Sequence, residues 1–182
     1  MSIDVPDFIR HPRLGELFLY WRSLSIDGAL PRRGDIDATS LRALLPNIYL
    51  LDAGATPDDL RYRLAGSNIC AAFGFEPRGL TRREIRARHV DPKAYADFDE
   101  TSRQTHAIAA RRIVAYSHDR MTSYDRKFMA YARLNLPISE DGGKATGILG
   151  AILTKNDGED FWQNFQELHV EMPVSEFGID TA

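Results

Sequence analysis

Residues 60–80, LRYRLAGSNICAAFGFEPRGL, decide the fold of this chain. Residues 61–64 alternate polar with apolar side chains, as a half-buried strand does. The glycine at position 66 permits a bend, and the Ser-Asn pair after it is suited to cap a helix. Gly74 is the expected left-handed end of that helix. The stretch therefore predicts a strand, a tight turn and a short helix in immediate succession.

A helix is predicted before this stretch, beginning at Pro12. Five apolar residues follow at helical spacing and form one stripe: Leu14, Leu17, Phe18, Trp21 and Leu24. A stripe that contains large aromatic rings must be covered. We expect it to pack on the domain's own sheet, and a dimer contact through the same residues stays open. The apolar run Asn47–Asp52 predicts the first strand.

Further elements follow the central stretch. Asp91-Pro92 opens a longer helix, and three strands are predicted over Ile108–Ser117, Tyr124–Leu136 and Ala145–Lys155. Alternation along the middle strand places Tyr131 and Arg133 on one face. The order predicts an α+β fold with a five-stranded antiparallel sheet, helices on one face and an N-terminal helical cap. Four residues at helical spacing predict a C-terminal amphipathic helix: Phe161, Trp162, Phe165 and Leu168.

Several short motifs resemble those of the PAS sensor fold, and in particular a family of short, stand-alone alphaproteobacterial PAS proteins. The first motif is Arg61-Tyr62-Arg63-Leu64-Ala65-Gly66, with Ile69, Phe73-Gly74, Glu76 and Gly79 after it. An opening motif reads Tyr20-Trp21-Arg22-Ser23-Leu24, then Leu30 to Asp37. Ala38 stands where the family often has proline. The resemblance spans about Pro12 to Lys155 and supplies the topology that periodicity alone does not give.

The domain organisation follows from these patterns. Residues 1–11 are predicted to be a flexible arm, and residues 12–46 the N-terminal helices. The PAS-like domain is expected over residues 47–155, and a C-terminal helix and tail over residues 156–182.

Composition limits the class of protein. The 182 residues are 43% hydrophobic with a net charge of −3, which is ordinary for a globular domain and gives no general attraction to nucleic acid. One cysteine, Cys70, cannot form an internal disulfide, which indicates a reducing compartment. No apolar run approaches the length of a membrane span, and the first residues lack the pattern of a signal peptide. We expect a cytoplasmic protein that binds neither nucleic acid nor membrane.

Motifs for catalysis and cofactors are missing from the sequence. No phosphate-binding loop, nucleophile elbow or paired zinc-ligand motif is present, so we expect no enzyme, no catalytic residue and no metal site. His89 or His106 as a haem ligand has no supporting pattern, and Cys70 lacks the motif of flavin photosensors. The sequence names no cofactor. The arginines of residues 82–88 are expected to form a solvated helical face.

The resemblance implies a sensory or signalling module that binds a small molecule, a protein partner or both, without a covalent output domain. Its cavity would lie between the sheet and the helices, with seven candidate lining residues: Tyr62, Asn68, Phe73, Tyr95, Arg112, Tyr116 and Tyr131. We expect a homodimer, with four candidate interface residues: Phe18, Trp21, Trp162 and Phe165. Two alternatives stay open. One is a ligand-free adaptor that acts through dimerisation, and the other is a small enzyme using His118 with Asp119 or His106.

Overall fold

The computed structural model describes residues 4–121, 129–154 and 166–180. Four helices lie in this part of the chain: α1 (Pro12–Ser23), α2 (Ser67–Phe73), α3 (Arg82–His89) and α4 (Tyr95–Ala110). Six strands accompany them: β1 (Ile48–Asp52), β2 (Arg61–Ala65), β3 (Ile113–Met121), β4 (Met129–Ser139), β5 (Ala145–Thr154) and β6 (Leu168–Pro173). The strand–turn–helix predicted from residues 60–80 is confirmed as β2 and α2.

The strands form one antiparallel sheet in the order β2-β1-β5-β4-β3-β6. The predicted α+β fold is confirmed, but the sheet has a sixth strand. Leu168 begins β6 and does not belong to a helix; apolar residues alternate along Leu168–Pro173, which favours a strand. The remainder of the predicted C-terminal helix, with Trp162 and Phe165, lies outside the described residues, as does the predicted strand start at Tyr124.

Strand β3 also begins later than predicted. Helix α4 continues through Ile108 to Ala110, so the strand starts only at Ile113. Ile108, the first residue of the predicted strand, is a buried helical residue in the structure. A short apolar run at a helix–strand junction does not itself distinguish the two elements.

The two faces of the sheet carry different helices. Strand register aligns Tyr49, Gly150 and Asn135 in one row across β1, β5 and β4. The side chains of this row lie on the same side of the sheet as Tyr62, whose ring neighbours Tyr49 and packs on Phe73 of α2. On this side Arg82 of α3 also lies over the ring of Phe98 of α4. We call this the helix-rich face. Tyr116 lies on the opposite face, where its hydroxyl meets the start of α1, and we call this the α1 face.

Helix α1 buries its aromatic stripe within the chain. Phe18 and Trp21 are at most 1% exposed. The indole Nε1 of Trp21 donates a hydrogen bond of 2.8 Å to the carbonyl oxygen of Pro137 on β4. The packing that we expected on the domain's own sheet is therefore present. Since neither ring reaches the surface of the single chain, neither offers contact area to a second copy.

The described residues of the N-terminal arm also pack on the α1 face. Ile9 is buried, and the ring of Phe8 lies 6.4 Å from that of Tyr116. The backbone N–H of His11 donates to the Tyr116 hydroxyl at 2.9 Å, and that hydroxyl also hydrogen-bonds His118 Nε2. Burial raises the pKa of Tyr116 to about 12 and lowers the pKa of His118.

Tyr49 crosses the centre of the sheet on the helix-rich face. Its ring lies over Gly150 of β5, and its hydroxyl donates to Asn135 Oδ1 on β4. A Cβ at position 150 would overlap the tyrosine ring, so only glycine fits there. One side chain thus connects three neighbouring strands across a glycine.

Gly150→Ala tests this packing. The added methyl must displace the Tyr49 ring, so we expect the free energy of unfolding to fall by about 2 kcal/mol or more. Urea denaturation measures the change. Gly34→Ala is the control, because nothing lies within 4 Å of a Cβ at that position. An unchanged Gly150→Ala protein would show that the ring does not occupy this place in solution.

The buried imidazole of His118 predicts a loss of stability in acid. Burial, followed by the charge of Arg10, lowers its pKa in the folded state, while the carbonyl of Gln166 opposes this. The stabilising effect is present above the unfolded pKa and is lost as pH falls below about 6.5 towards the folded value. Melting temperatures at about pH 7.5 and pH 5.5 should differ more for the wild type than for His118→Gln. Equal differences would mean that His118 is protonated in the folded protein.

Candidate ligand-binding site

A group of buried polar side chains lies on the helix-rich face. We call it the arginine–tyrosine cluster, and its members are Tyr49, Tyr62, Arg82, Ser117, Arg133 and Asn135. All six are at most 9% exposed. Interiors seldom hold two arginines without carboxylate partners, so the cluster is an unusual part of this core.

Strand register brings four members of the cluster together. Ser117 of β3 stands directly opposite Arg133 of β4, and Asn135 follows two positions along β4 on the same face. Asn135 in turn receives the Tyr49 hydroxyl from β1. The period of two along β4 that predicts Tyr131 and Arg133 on one face therefore holds in the structure.

Arg82 reaches the cluster from helix α3. The helix begins at Thr81, whose side chain accepts from the backbone of Glu84, and the Glu84 carboxylate accepts from Thr81 in return. The guanidinium of Arg82 lies 4.3 Å from the centroid of Phe98, and its Nη1 is 3.5 Å from the Tyr62 hydroxyl. The prediction that the arginines of residues 82–88 form a solvated helical face is therefore wrong for Arg82, which is buried.

Three polar atoms of the cluster have no hydrogen-bond partner among the described residues. They are Nε of Arg82, Nε of Arg133 and Oγ of Ser117, and each is buried. An unpaired buried polar group costs about 1–3 kcal/mol, and a charged one costs more. The cluster therefore offers hydrogen-bond donors for which the described part of the chain supplies no acceptor.

Tyr49 of the cluster and Tyr131 beside it stay neutral. Burial raises the pKa of Tyr49, although the positive charges of Arg133 and Arg82 act in the other direction. Burial likewise raises the pKa of Tyr131, whose ring centroid lies 5.9 Å from the guanidinium carbon of Arg133. A neutral phenol cannot balance a guanidinium, so the positive charge of the arginines is not offset by these rings.

A cavity of about 340 Å³ adjoins the cluster where β3 meets the first residues of β6, with Gln104 of α4 on its wall. Ser117 and Arg133 belong to both the cluster and the cavity wall. The other lining residues are Gln104, His118, Asp119, Glu167, Leu168 and His169. Small-molecule pockets in proteins usually measure roughly 300–1,000 Å³, so this space suits a small ligand.

Three of the seven predicted lining residues lie in or beside the cluster. Tyr62 is a member, and Phe73 packs edge-on against it with ring centroids 5.7 Å apart. Tyr131 lies beside Arg133. Asn68 is exposed and its amide nitrogen is 3.3 Å from Asn47 Oδ1. Tyr95 is half-buried beneath the guanidinium of Arg86.

The structure places the remaining two predicted residues elsewhere. Tyr116 lies on the α1 face with the N-terminal arm. Arg112 has a φ of 52° and donates to the backbone carbonyls of Gly143 and Asp180 at 3.1 and 2.7 Å, so its head group holds two chain segments together. Five cluster members were not predicted: Tyr49, Arg82, Ser117, Arg133 and Asn135.

The other chemical candidates have local partners. His106 Nε2 lies 3.0 Å from the Gly54 carbonyl oxygen, and the ring of His89 stacks on Phe75 at 3.7 Å. Burial raises the pKa of the Cys70 thiol, which makes a reactive thiolate less accessible. Within the described residues no group of three His, Cys, Asp or Glu side chains is placed to hold a metal. No helix in those ranges is long and apolar enough to cross a membrane.

The antiparallel sheet with helices on both faces and a cavity beside the cluster defines an α+β domain. A family model described as PAS domain matches residues 9–153. The chain belongs to the PAS domain family, whose members generally serve sensing and signalling and are typically non-catalytic. The match begins before α1. The narrower subfamily suggested by the sequence motifs stays a prediction.

Several solved structures are similar to this chain over part of its length. The PAS domain of Bordetella pertussis BvgS is 22% identical with a TM-score of 0.46, and the match covers 62% of this chain and 82% of that chain. Vibrio cholerae VqmA is 17% identical with a TM-score of 0.46, covering 63% of this chain and 50% of that chain. The PAS domain of an HTR-like protein from Haloarcula marismortui is 18% identical with a TM-score of 0.35, covering 64% and 90%. A search of curated protein sequences finds no match.

Arg133→Met tests whether the buried guanidinium is unpaired. Removing one member of a buried ion pair costs about 3–5 kcal/mol, whereas replacing an unpaired charge with an apolar side chain is neutral or stabilising. We expect the unfolding free energy of refolded, ligand-free Arg133→Met to equal or exceed that of the wild type.

Arg33→Met provides the contrast, because Arg33 is half-buried and its Nη2 lies 2.6 Å from Asp52 Oδ1 and 3.0 Å from Glu140 Oε1. This variant should lose stability in the same urea titration. A loss at Arg133 as large as that at Arg33 would contradict the assignment.

Proposed function

We propose that this PAS domain is a sensory module that binds a small organic molecule at the arginine–tyrosine cluster and the adjoining cavity. The observation that carries the proposal is the set of buried, unpaired donors on Arg82, Arg133 and Ser117. A polar core built only for stability satisfies its own donors. A bound molecule supplies the missing acceptors.

The position of the donors supports a ligand more than a packing defect. They lie between the sheet and helices α3 and α4, and Arg133 and Ser117 line a cavity of about 340 Å³. Aromatic rings of Tyr62, Phe73 and Phe98 lie on the Arg82 side of the cluster, outside the wall of this cavity. A small-molecule site usually includes a few convergent polar groups in a concave place, and Arg133 and Ser117 supply such groups here.

The family membership supports the sensing part of the proposal. PAS domains generally serve sensing and signalling, and a ligand in this place contacts β3, β4 and α4 at once. Binding that favours one arrangement of these elements shifts the population towards it. We propose that occupancy of the cluster is the signal that the domain transmits.

Native mass spectrometry of freshly purified protein tests the proposal. We expect a bound organic mass that is lost on denaturation, and a raised melting temperature that returns when the extracted molecule is added back. Arg133→Gln should lose the bound mass, since it removes the charge and Nε that face the ligand.

Arg42→Gln is the matched control, because Arg42 is exposed and outside the cluster. Equal retention of ligand by both variants would place the binding site elsewhere. A bare mass, together with no melting shift in a metabolite screen, would overturn the sensory role of the cavity.

A further inference from the structure

We infer that the ligand of this site is a small organic carboxylate, whose acid group binds between Arg133 and Ser117 at the junction of the cluster and the cavity. The inference rests on the proposed function and adds the chemical class of the ligand. It is based on a comparison between the arginines of this chain that have carboxylate partners and those that do not.

Several less buried arginines have carboxylate partners within the chain. Arg86 holds Asp99 through Nε and Nη2 at 2.7 and 3.2 Å. Arg111 pairs with Glu171 at 2.7 Å, and its side chain is 61% exposed. Arg82 and Arg133, with at most 9% exposed, have no such partner among the described residues. The arginines that most need a counter-charge are therefore the ones without it.

Two acids lie on the cavity wall together with Arg133. Asp119 lies on the cavity wall and is hydrogen-bonded by Tyr131. Glu167 also lines the cavity but is exposed. The Nε of Arg133 has no hydrogen-bond partner, on these residues or elsewhere in the described part of the chain. An anion from outside the chain therefore has an open place at this guanidinium.

The geometry of the open donors suits a carboxylate. A guanidinium presents Nε and an Nη nitrogen as a planar pair that matches the two oxygens of a carboxylate. The buried Nε of Arg133 lacks a partner, and Ser117 stands opposite on β3 with its hydroxyl unpaired. Together they offer Nε and an Nη of Arg133 as two donors and the hydroxyl of Ser117 as a third donor from the neighbouring strand.

The surroundings favour an organic acid over inorganic phosphate. Phosphate carries close to two charges at neutral pH and three strong acceptor oxygens, which call for more donors than Arg133 and Ser117. Leu168 instead adds an apolar side chain to the wall of the cavity of about 340 Å³. A carboxylate with a small organic body suits the two donors and the space beside them.

The test uses the smallest fragment that carries the proposed group. Melting temperatures are measured in sodium acetate and in sodium chloride at equal ionic strength, with acetamide as the neutral fragment of the same shape. We expect acetate, at about ten times its Kd, to raise the melting temperature of the full chain by about 3–6 °C over chloride. Acetamide should produce no such rise.

Two variants link the effect to the site. Arg133→Gln should abolish the acetate shift, while the exposed Arg42→Gln should keep it in full. Ser117→Ala retains the guanidinium and should weaken acetate binding about 3–10-fold, the loss expected for one hydrogen bond. This second variant keeps the test valid if Arg133→Gln fails to fold.

The outcomes separate this inference from the proposed function. Equal melting temperatures in acetate, acetamide and chloride would overturn the carboxylate, and so would a shift with phosphate but not acetate. A neutral organic molecule released from the purified protein would also overturn it, while the sensory role would stand. An acetate shift lost in Arg133→Gln, in a protein that carries no organic molecule and responds to no metabolite, would retain the anion site and reject the sensory role.

Discussion

The packing of Tyr49 over Gly150 is the constraint on which the centre of the structure depends. It fixes the relative positions of β1, β5 and β4, because the ring occupies the space of a missing side chain and the hydroxyl ends on Asn135. Asn135 and Arg133 are two positions apart on β4, so the same contact sets where the guanidinium lies. The stability of the sheet and the shape of the candidate site thus share one cause.

Covering the sheet on both faces explains how the site is kept apart from the rest of the core. The α1 face is closed by Phe18 and Trp21, with the indole held on Pro137, and it also carries the hydrogen-bonded pair Tyr116 and His118. The helix-rich face carries the polar cluster. Because consecutive strand residues point to opposite faces, β4 serves both layers, with Leu134 in one and Arg133 in the other.

Local patterns predict most of this fold, and the exceptions have physical reasons. The amphipathic spacing of α1 and the turn residues after β2 act over short distances, so they are readable from sequence. The inward turn of Arg82 depends on Phe98 and Tyr62, which are distant in sequence, and nothing local distinguishes Arg82 from the exposed Arg83. Alternation along β4 predicts the face on which Tyr131 lies. The position of Tyr49 depends on which strand places a glycine opposite it, and no local pattern shows that.

Edge strand β6 has a consequence for how the domain responds to a ligand. Its first residues, Leu168 and His169, form part of the wall of the cavity that also contains Arg133. A molecule in that cavity touches a strand that, among the described residues, is hydrogen-bonded on one side only, by β3. Thermodynamic linkage then requires that whatever tightens the docking of β6 also tightens the ligand, by the same factor in each direction. The free energy of docking β6 on β3 and the free energy of binding a ligand in the cavity are then coupled.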